Sequence, residues 1–350
     1  MELLGYSRND YDICVFNKRS KSGVQCTVTI HVDDLFISSE DKQMIEDLCK
    51  GLKERYGRIS KCDGPVLNYL GMVFNLSLKG EAKVTMQGYV EELLVCSNTP
   101  GGAKTPGTEN LFCVRDTAEK ATEAEQAHFH TMVAKLLYLA KRARPDCLTA
   151  VAFLATRVTR CDQDDLQKLA RLIKYVRATR EHGLVMRIGP EGIVVRVLID
   201  AAYGVHMDGK SHTGSCVMIG ALGAVHCKSA KQQIVTKSST EAELVGLSDS
   251  ANQGLHVRNF LISQGYSLGP VIIYQDNMSC MALVDRGRSA AERTRHINIR
   301  YFWMKERVDR GEAVIKHLGT KLMYANLLTK PVQGSQFIAE RKGITGWCDV

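Results

Sequence analysis

The sequence lacks the marks of several protein classes. No apolar run approaches the ~18 to 20 residues that a membrane-spanning helix needs, and the N-terminus has no basic region followed by an apolar one. Proline is scarce, with 7 residues among 350, and 45 % of the chain is apolar, which argues against a disordered or collagen-like protein. We expect an intracellular protein of about two folded domains, without a membrane partner.

Paired metal-binding cysteines are also missing. The twelve cysteines are scattered without a Cys-x-x-Cys pair, and no histidine stands at zinc-finger spacing. A zinc site is therefore not expected, and the thiols should stay reduced. The net charge of +8 suits a polyanionic partner without identifying one.

Residues 1–98 have an α+β pattern. The β-branched run Val24–Val32 and the run Leu35–Ile37 predict a strand pair with Asp33 and Asp34 at its tip. Apolar residues at helical spacing predict an amphipathic helix over Lys42–Tyr56. Two further strands and a short helix are predicted at Leu67–Leu78, Lys83–Met86 and Tyr89–Val95.

The next two segments differ from each other in composition and predicted secondary structure. Residues 99–128 are polar and bear glycine and proline, which indicates a linker or mobile arm. Residues 129–189 predict a helical connection segment, with helices at Phe129–Ala143, Leu148–Val158 and Asp162–Thr179.

Residues 190–335 predict a mixed-sheet α/β domain, and residues 336–350 are assigned to a C-terminal tail. The predicted strands are Ile193–Ile199, Gly214–Gly220, Ala224–Lys228, Val271–Tyr274 and Ala313–Leu318. The predicted helices are Ser239–Gln253, Met278–Val284, Ile297–Arg310 and Leu322–Thr329.

Three acidic residues stand at strand ends or on a helix of this domain. Asp200 ends its first strand, Glu243 lies in the helix after the third, and Asp276 follows the fourth. Such carboxylates can converge on one side of a sheet and hold two divalent cations about 3.5 to 4 Å apart, as in-line phosphodiester hydrolysis requires. Taken singly, each has a plainer interpretation as a turn cap or a solvated helix residue.

The sequence around these three acidic residues favours the metal site. Five strings occur in order: VLIDAAYG (197–204), SSTEAEL (238–244), IIYQDNMSCMAL (272–283), RTRHINIRYFWMKERV (293–308) and YANLLTKP (324–331). Together they closely resemble the ribonuclease H domain of copia-type retrotransposon polyproteins. The resemblance implies that Asp200, Glu243 and Asp276 are catalytic carboxylates that bind two Mg²⁺ or Mn²⁺ ions.

The family's fourth catalytic acid falls in an Ala-Asp-x-x-Thr-Lys-Pro pattern. The matching string here carries Asn326 at the acidic position. An amide oxygen can still ligate a cation but carries no charge, so we expect a weaker second cation and reduced turnover or none.

The resemblance extends upstream. HVDDLFISSED (31–41) resembles the Tyr-x-Asp-Asp hairpin of reverse transcriptases, with His31 in place of Tyr, and MVAKLLYLAKRARPDCLTAVAFLATRV (132–158) resembles the connection segment. The family's polymerase needs a third Asp on an upstream strand, and this sequence begins about 30 residues before Asp33. We therefore interpret Asp33 and Asp34 as remnants and do not expect this chain alone to polymerise DNA.

Four basic residues beside these motifs are candidate nucleic-acid contacts, although a basic run can also be a solvated face. They are Arg293, Arg295, Arg300 and Lys330.

The leading hypothesis is an α+β palm and connection remnant followed by an α/β ribonuclease H-like domain with a mixed five-stranded sheet. It would hydrolyse the RNA strand of RNA/DNA hybrids and use no small-molecule cofactor. Full-length reverse transcriptase or other proteins of the element are further candidate partners, and the resemblance implies a cytoplasmic virus-like particle, with a nuclear location left open. The rival hypothesis is a decayed or repurposed remnant that binds nucleic acid without cutting it, which Asn326 and His31 favour.

Overall fold

The computed structural model describes residues 1–286 and 295–348 and, for residues 295–298 and 301, the backbone alone. Within these residues the strands form three sheets. No helix among them is long and apolar enough to cross a membrane.

The first sheet is antiparallel and has helix α1 on one face. Leu48 of the helix packs against Cys26 and Val28 of the sheet. The predicted hairpin and helix are therefore confirmed. The elements are β1 (Ser7–Arg8), β2 (Val15–Arg19), β3 (Gln25–His31), β4 (Asp34–Ser39) and α1 (Lys42–Tyr56).

The second sheet is also antiparallel and continues with helix α2. The prediction of one strand over Leu67–Leu78 is wrong, because Leu70 and Gly71 have φ angles of 52° and 74° and form a tight turn between two strands. Positive φ at both central residues is typical of a type I′ hairpin. The elements are β5 (Val66–Tyr69), β6 (Met72–Asn75), β7 (Glu81–Thr85) and α2 (Gln87–Ser97).

Three helices follow, as predicted, and each long one begins with a capping box. Thr122 and Asp162 accept hydrogen bonds from the backbone N–H groups three residues further on. The fourth strand of the second sheet comes after the helices and pairs with β7, so a strand lies inside the predicted helical connection. The elements are α3 (Glu123–Arg142), α4 (Leu148–Ala155), α5 (Gln163–Ala178) and β8 (Leu184–Arg187).

The third sheet has five strands and is mixed, as predicted. Its central strand β9 (Arg196–Ala202) pairs antiparallel with β10 (His212–Met218), which pairs with β11 (His226–Lys231). On the other side β9 is parallel to β12 (Val271–Gln275), which is parallel to β13 (Ala313–His317).

Among the described residues, four helices accompany this sheet. They are α6 (Ser239–Ser263), α7 (Met278–Arg286), α8 (Arg295–Asp309) and α9 (Gly334–Thr345). The predicted helix over Leu322–Thr329 is wrong: the segment forms short 3₁₀ turns at Thr320–Leu322 and Tyr324–Leu328. Pro331 follows closely, and proline disfavours helix in the residue before it.

One apolar core joins the connection helices to the five-stranded sheet. Val197 and Ile199 of β9 pack on the α6 side, while Leu198 between them belongs to the core that contains α3, α4 and α5. Phe337 of α9 is buried in the same core, so the predicted C-terminal tail contains a packed helix.

Candidate active site

The three predicted carboxylates meet at one edge of the five-stranded sheet. Asp200 lies on β9, Asp276 directly follows the neighbouring parallel strand β12, and Glu243 lies in the second turn of α6. One ligand oxygen from each lies within 4.8 Å of the others. The predicted convergence is therefore present in the fold.

Burial and mutual repulsion make this cluster unfavourable as three anions. Burial raises the pKa of Glu243 to about 9, and the charges of Asp200 and Asp276 add to the effect. Burial also raises the pKa of Asp200, although a hydrogen bond from the Thr329 hydroxyl and the charge of Lys330 oppose it. A bound divalent cation would relieve this repulsion.

Gln275 links Glu243 to the backbone at Asp276, and the sequence did not predict it as a site residue. Its Nε2 donates to Glu243 Oε2 at 3.2 Å, and its Oε1 accepts from the backbone N–H groups of Asp276 at 2.8 Å and Asn277 at 3.0 Å. Gln275 is fully buried. Its position at the end of a buried strand, beside Asp276, was the available signal.

A glycine allows the C-terminal segment to reach the site. A Cβ at Gly214 of β10 would come within 2.7 Å of the Ala325 carbonyl oxygen and of Thr329 Cγ2. The absence of a side chain lets the Tyr324–Leu328 turn lie on the sheet and brings Thr329 to Asp200. From the preceding turn, Thr320 Oγ1 donates to Asp276 Oδ2 at 3.0 Å.

Asn326, where the resemblance to the family places a fourth acid, is fully buried in this segment. Its Nδ2 donates to the carbonyl oxygens of Met323 at 2.7 Å and Thr320 at 3.1 Å. Its Oδ1 has no hydrogen-bond partner in the described part of the chain. A buried amide oxygen without a partner is costly unless something outside the chain binds it.

The residues present fit a hard divalent cation, which prefers oxygen ligands. Among the residues whose side chains the structure describes, Asp200, Glu243 and Asp276 form the one group of three or more His, Cys, Asp or Glu at this spacing. A bound divalent cation would neutralise the like charges of these three carboxylates.

The polymerase-like residues lie elsewhere. Asp33 occupies the turn between β3 and β4, Asp34 begins β4, and both are exposed. Val32 beside them has a φ of 52°, a strained value for a β-branched residue. In the described part of the chain, no third His, Cys, Asp or Glu joins the two aspartates at the spacing of the cluster around Asp200.

The predicted basic contacts differ in their surroundings. Arg300 forms an ion pair with Asp249 of α6. Lys330 is exposed and adjoins Thr329. Arg293 lies outside the described residues, and of Arg295 the backbone alone is described.

The chain is similar over nearly its whole length to transposon polyproteins. It is 24 % identical over 345 residues to the retrovirus-related Pol polyprotein from transposon TNT 1-94 of Nicotiana tabacum, with 96 % of this chain and 26 % of that protein aligned. It is 25 % identical over 348 residues to the Pol polyprotein from transposon RE1 of Arabidopsis thaliana, with 98 % and 23 % aligned. No protein-family model matches the sequence.

A solved structure of the foamy viral protease-reverse transcriptase in complex with an RNA/DNA hybrid has a similar fold. It aligns to 84 % of this chain and 36 % of its own, with a TM-score of 0.50 and 10 % identity. Together with the mixed five-stranded sheet, this confirms the predicted fold class.

The relatives confirm the resemblance to copia-type retrotransposon Pol polyproteins. The chain spans about a quarter of the length of the curated relatives it matches.

Proposed function

We propose that this chain is the ribonuclease H part of a copia-type retrotransposon polyprotein and that it hydrolyses the RNA strand of RNA/DNA hybrids. The observation that carries the proposal is the meeting of Asp200, Glu243 and Asp276 at one sheet edge, with ligand oxygens within 4.8 Å of one another. The substrate class is taken from the foamy viral protease-reverse transcriptase, which has a similar fold and whose structure contains an RNA/DNA hybrid.

The three carboxylates would hold two Mg²⁺ or Mn²⁺ ions, which when bound supply charge stabilisation to the scissile phosphate and activate the attacking water. The chain's own groups set the geometry. Gln275 fixes Glu243 relative to the backbone of Asp276, and Thr329 fixes Asp200. These contacts hold the ligand oxygens in place before substrate binds.

The surface beside the cluster suits a phosphate backbone. Lys330 is exposed one residue from Thr329, so its ammonium can contact a phosphate of the hybrid. Arg300 forms an ion pair with Asp249, so we expect it to contribute less than Lys330 to binding of the hybrid.

We propose no polymerase activity for this chain alone. Asp33 and Asp34 are exposed at a hairpin tip, and no third acid of the described residues joins them. Nucleotidyl transfer on two cations needs ligands that converge on both ions.

The test is cleavage of a hybrid labelled on either strand, in Mg²⁺ and in Mn²⁺. We expect cuts in the RNA strand alone and none in RNA/RNA or DNA/DNA duplexes. Asp276→Asn is the matched control, because Asp276 is half-buried and the change removes charge while preserving shape. We expect it to abolish cleavage and leave the melting temperature near that of the native protein. Cleavage that survives in Asp276→Asn would contradict the assignment.

The second candidate function is hybrid binding without cleavage, which the uncharged Asn326 favours. Retention of the hybrid in gel shifts, with no cuts in either metal, would establish this alternative.

A further inference from the structure

A buried glutamate contacts the amide at the fourth position. Glu340 of α9 is 2 % exposed, and its Oε1 accepts from Asn326 Nδ2 at 3.4 Å and from Gln336 Nε2 at 2.8 Å. Its Oε2 has no hydrogen-bond partner in the described part of the chain. Most of helix α9 lies within residues 336–350, the predicted C-terminal tail, and outside the five sequence strings.

The surroundings of Asn326 fit an amide and not a carboxylate. Its Nδ2 faces three acceptors, which are the carbonyl oxygens of Thr320 and Met323 and the carboxylate of Glu340. These acceptors fix which side of the amide carries nitrogen, because the reversed amide would point its oxygen at all three. An aspartate at position 326 would set an anion against the same groups.

Two threonines tie this pair to the carboxylate cluster. Thr320 accepts from Asn326 Nδ2 through its carbonyl and donates to Asp276 through its hydroxyl. The Thr329 hydroxyl contacts both the backbone carbonyl oxygen of Asn326 and the carboxylate of Asp200. Burial raises the pKa of Glu340, Lys330 lowers it and Asp200 raises it, so this carboxylate lies within electrostatic range of the cluster.

We propose that Asn326 and Glu340 are an exchanged acid–amide pair: Glu340 supplies the carboxyl group that the family has at position 326, and it positions Asn326 so that the free Oδ1 serves as a neutral ligand oxygen. The inference rests on the proposed cation site at Asp200, Glu243 and Asp276. Glu340 is a positioning residue in this scheme, since it acts through Asn326.

The experiment is a double-mutant cycle of Asn326→Asp, Glu340→Gln and both together, on the full chain. Melting temperatures without metal form the first readout. We expect Asn326→Asp to lower the melting temperature. The double variant should recover part of that loss, because the amide introduced at position 340 can donate to the carboxylate introduced at position 326, while the carbonyl oxygens of Met323 and Thr320 still face that carboxylate. A double variant no more stable than Asn326→Asp alone would overturn the pairing.

Calorimetric titration with Mn²⁺ is the second readout. We expect Glu340→Gln to weaken Mn²⁺ binding about 10-fold, the usual scale for a group that orients a ligand. Gln336→Ala is the matched control: it removes the other donor to Glu340, leaves the Asn326 contact, and should bind Mn²⁺ like the native protein.

The outcomes separate this inference from the proposed function. A native protein that binds Mn²⁺ in this pattern but never cuts a hybrid would refute the ribonuclease and support the pair. The pair would be overturned if the single variant Asn326→Asp melts like the native protein and binds Mn²⁺ more tightly without the second change Glu340→Gln. This holds whether or not the protein cleaves a hybrid.

Discussion

At the scale of single residues, the raised pKa of Glu243 makes the stability of the protein depend on pH. Its carboxyl has a pKa of about 9 in the folded protein because it is buried beside Asp200 and Asp276, against about 4.3 in an unfolded chain. Between these values the folded protein holds a proton that the unfolded chain has lost. The free energy of unfolding of the metal-free protein must therefore fall as pH rises through this window.

We predict that chemical denaturation in the presence of a chelator shows this loss from about pH 5 to about pH 9, at a slope of at most about 1.4 kcal/mol per pH unit. Glu243→Gln should flatten the slope, while Glu241→Gln, two residues earlier on the same helix, should retain it. An unchanged slope in Glu243→Gln would refute the assignment of the proton to this residue.

The sequence predicted the three carboxylates because each stands at a strand end or on the next helix within a recognisable string. It did not predict Gln275 or Glu340. Gln275 is not a residue type that marks a cation site, and Glu340 lies outside the recognisable strings. The role of each depends on a partner distant in sequence, Glu243 at 32 residues and Asn326 at 14.

At the scale of elements, the arm before α3 is held by an aromatic anchor. Phe112 is buried, and its ring lies 4.9 Å from that of His206, 5.2 Å from that of His212 and 5.6 Å from that of Phe153. The arm is therefore fastened both to α4 and to the start of β10, although its polar composition predicted a mobile linker.

We predict that Phe112→Ala lowers the free energy of unfolding by about 3 kcal/mol and exposes residues 98–122 to protease. Val114→Ala, in the same arm but less buried, is the matched control and should change cleavage little. Equal digestion rates for native protein and Phe112→Ala would show that the ring does not anchor the arm.

Elements with strong periodicity were predicted well, and those set by local turn geometry were not. The pattern over Lys42–Tyr56 matches α1 at both ends. The hairpin at Leu70 was missed because leucine rarely adopts positive φ, and β8 was missed because its four residues gain their order from pairing with β7. The Tyr324–Leu328 turn depends on Gly214, which no local pattern reveals.

At the scale of the whole molecule, the five-stranded sheet does not have a core of its own on both faces. Leu198, Cys216 and Met218 pack in the same cluster as the connection helices and α9. The first sheet differs, because Tyr6, Cys26, Val28 and Leu48 form a separate cluster.

We therefore predict that a fragment of residues 190–350 fails to unfold cooperatively and aggregates, whereas a fragment of residues 60–350 retains the melting transition of the larger core. Scanning calorimetry and gel filtration compare the two. A fragment 190–350 that is monomeric and melts like the full chain would contradict a shared core.

The central claim is that Asp200, Glu243 and Asp276 form one divalent-cation site, and calorimetric titration with Mn²⁺ at pH 7.5 tests it most directly. Because Glu243 is protonated in the metal-free protein at this pH, binding should release about one proton, read from the dependence of the heat on buffer ionisation enthalpy. Asp200→Asn should bind far more weakly. Absence of Mn²⁺ binding by the native protein, or equal affinity and proton release in Asp200→Asn, would contradict the account.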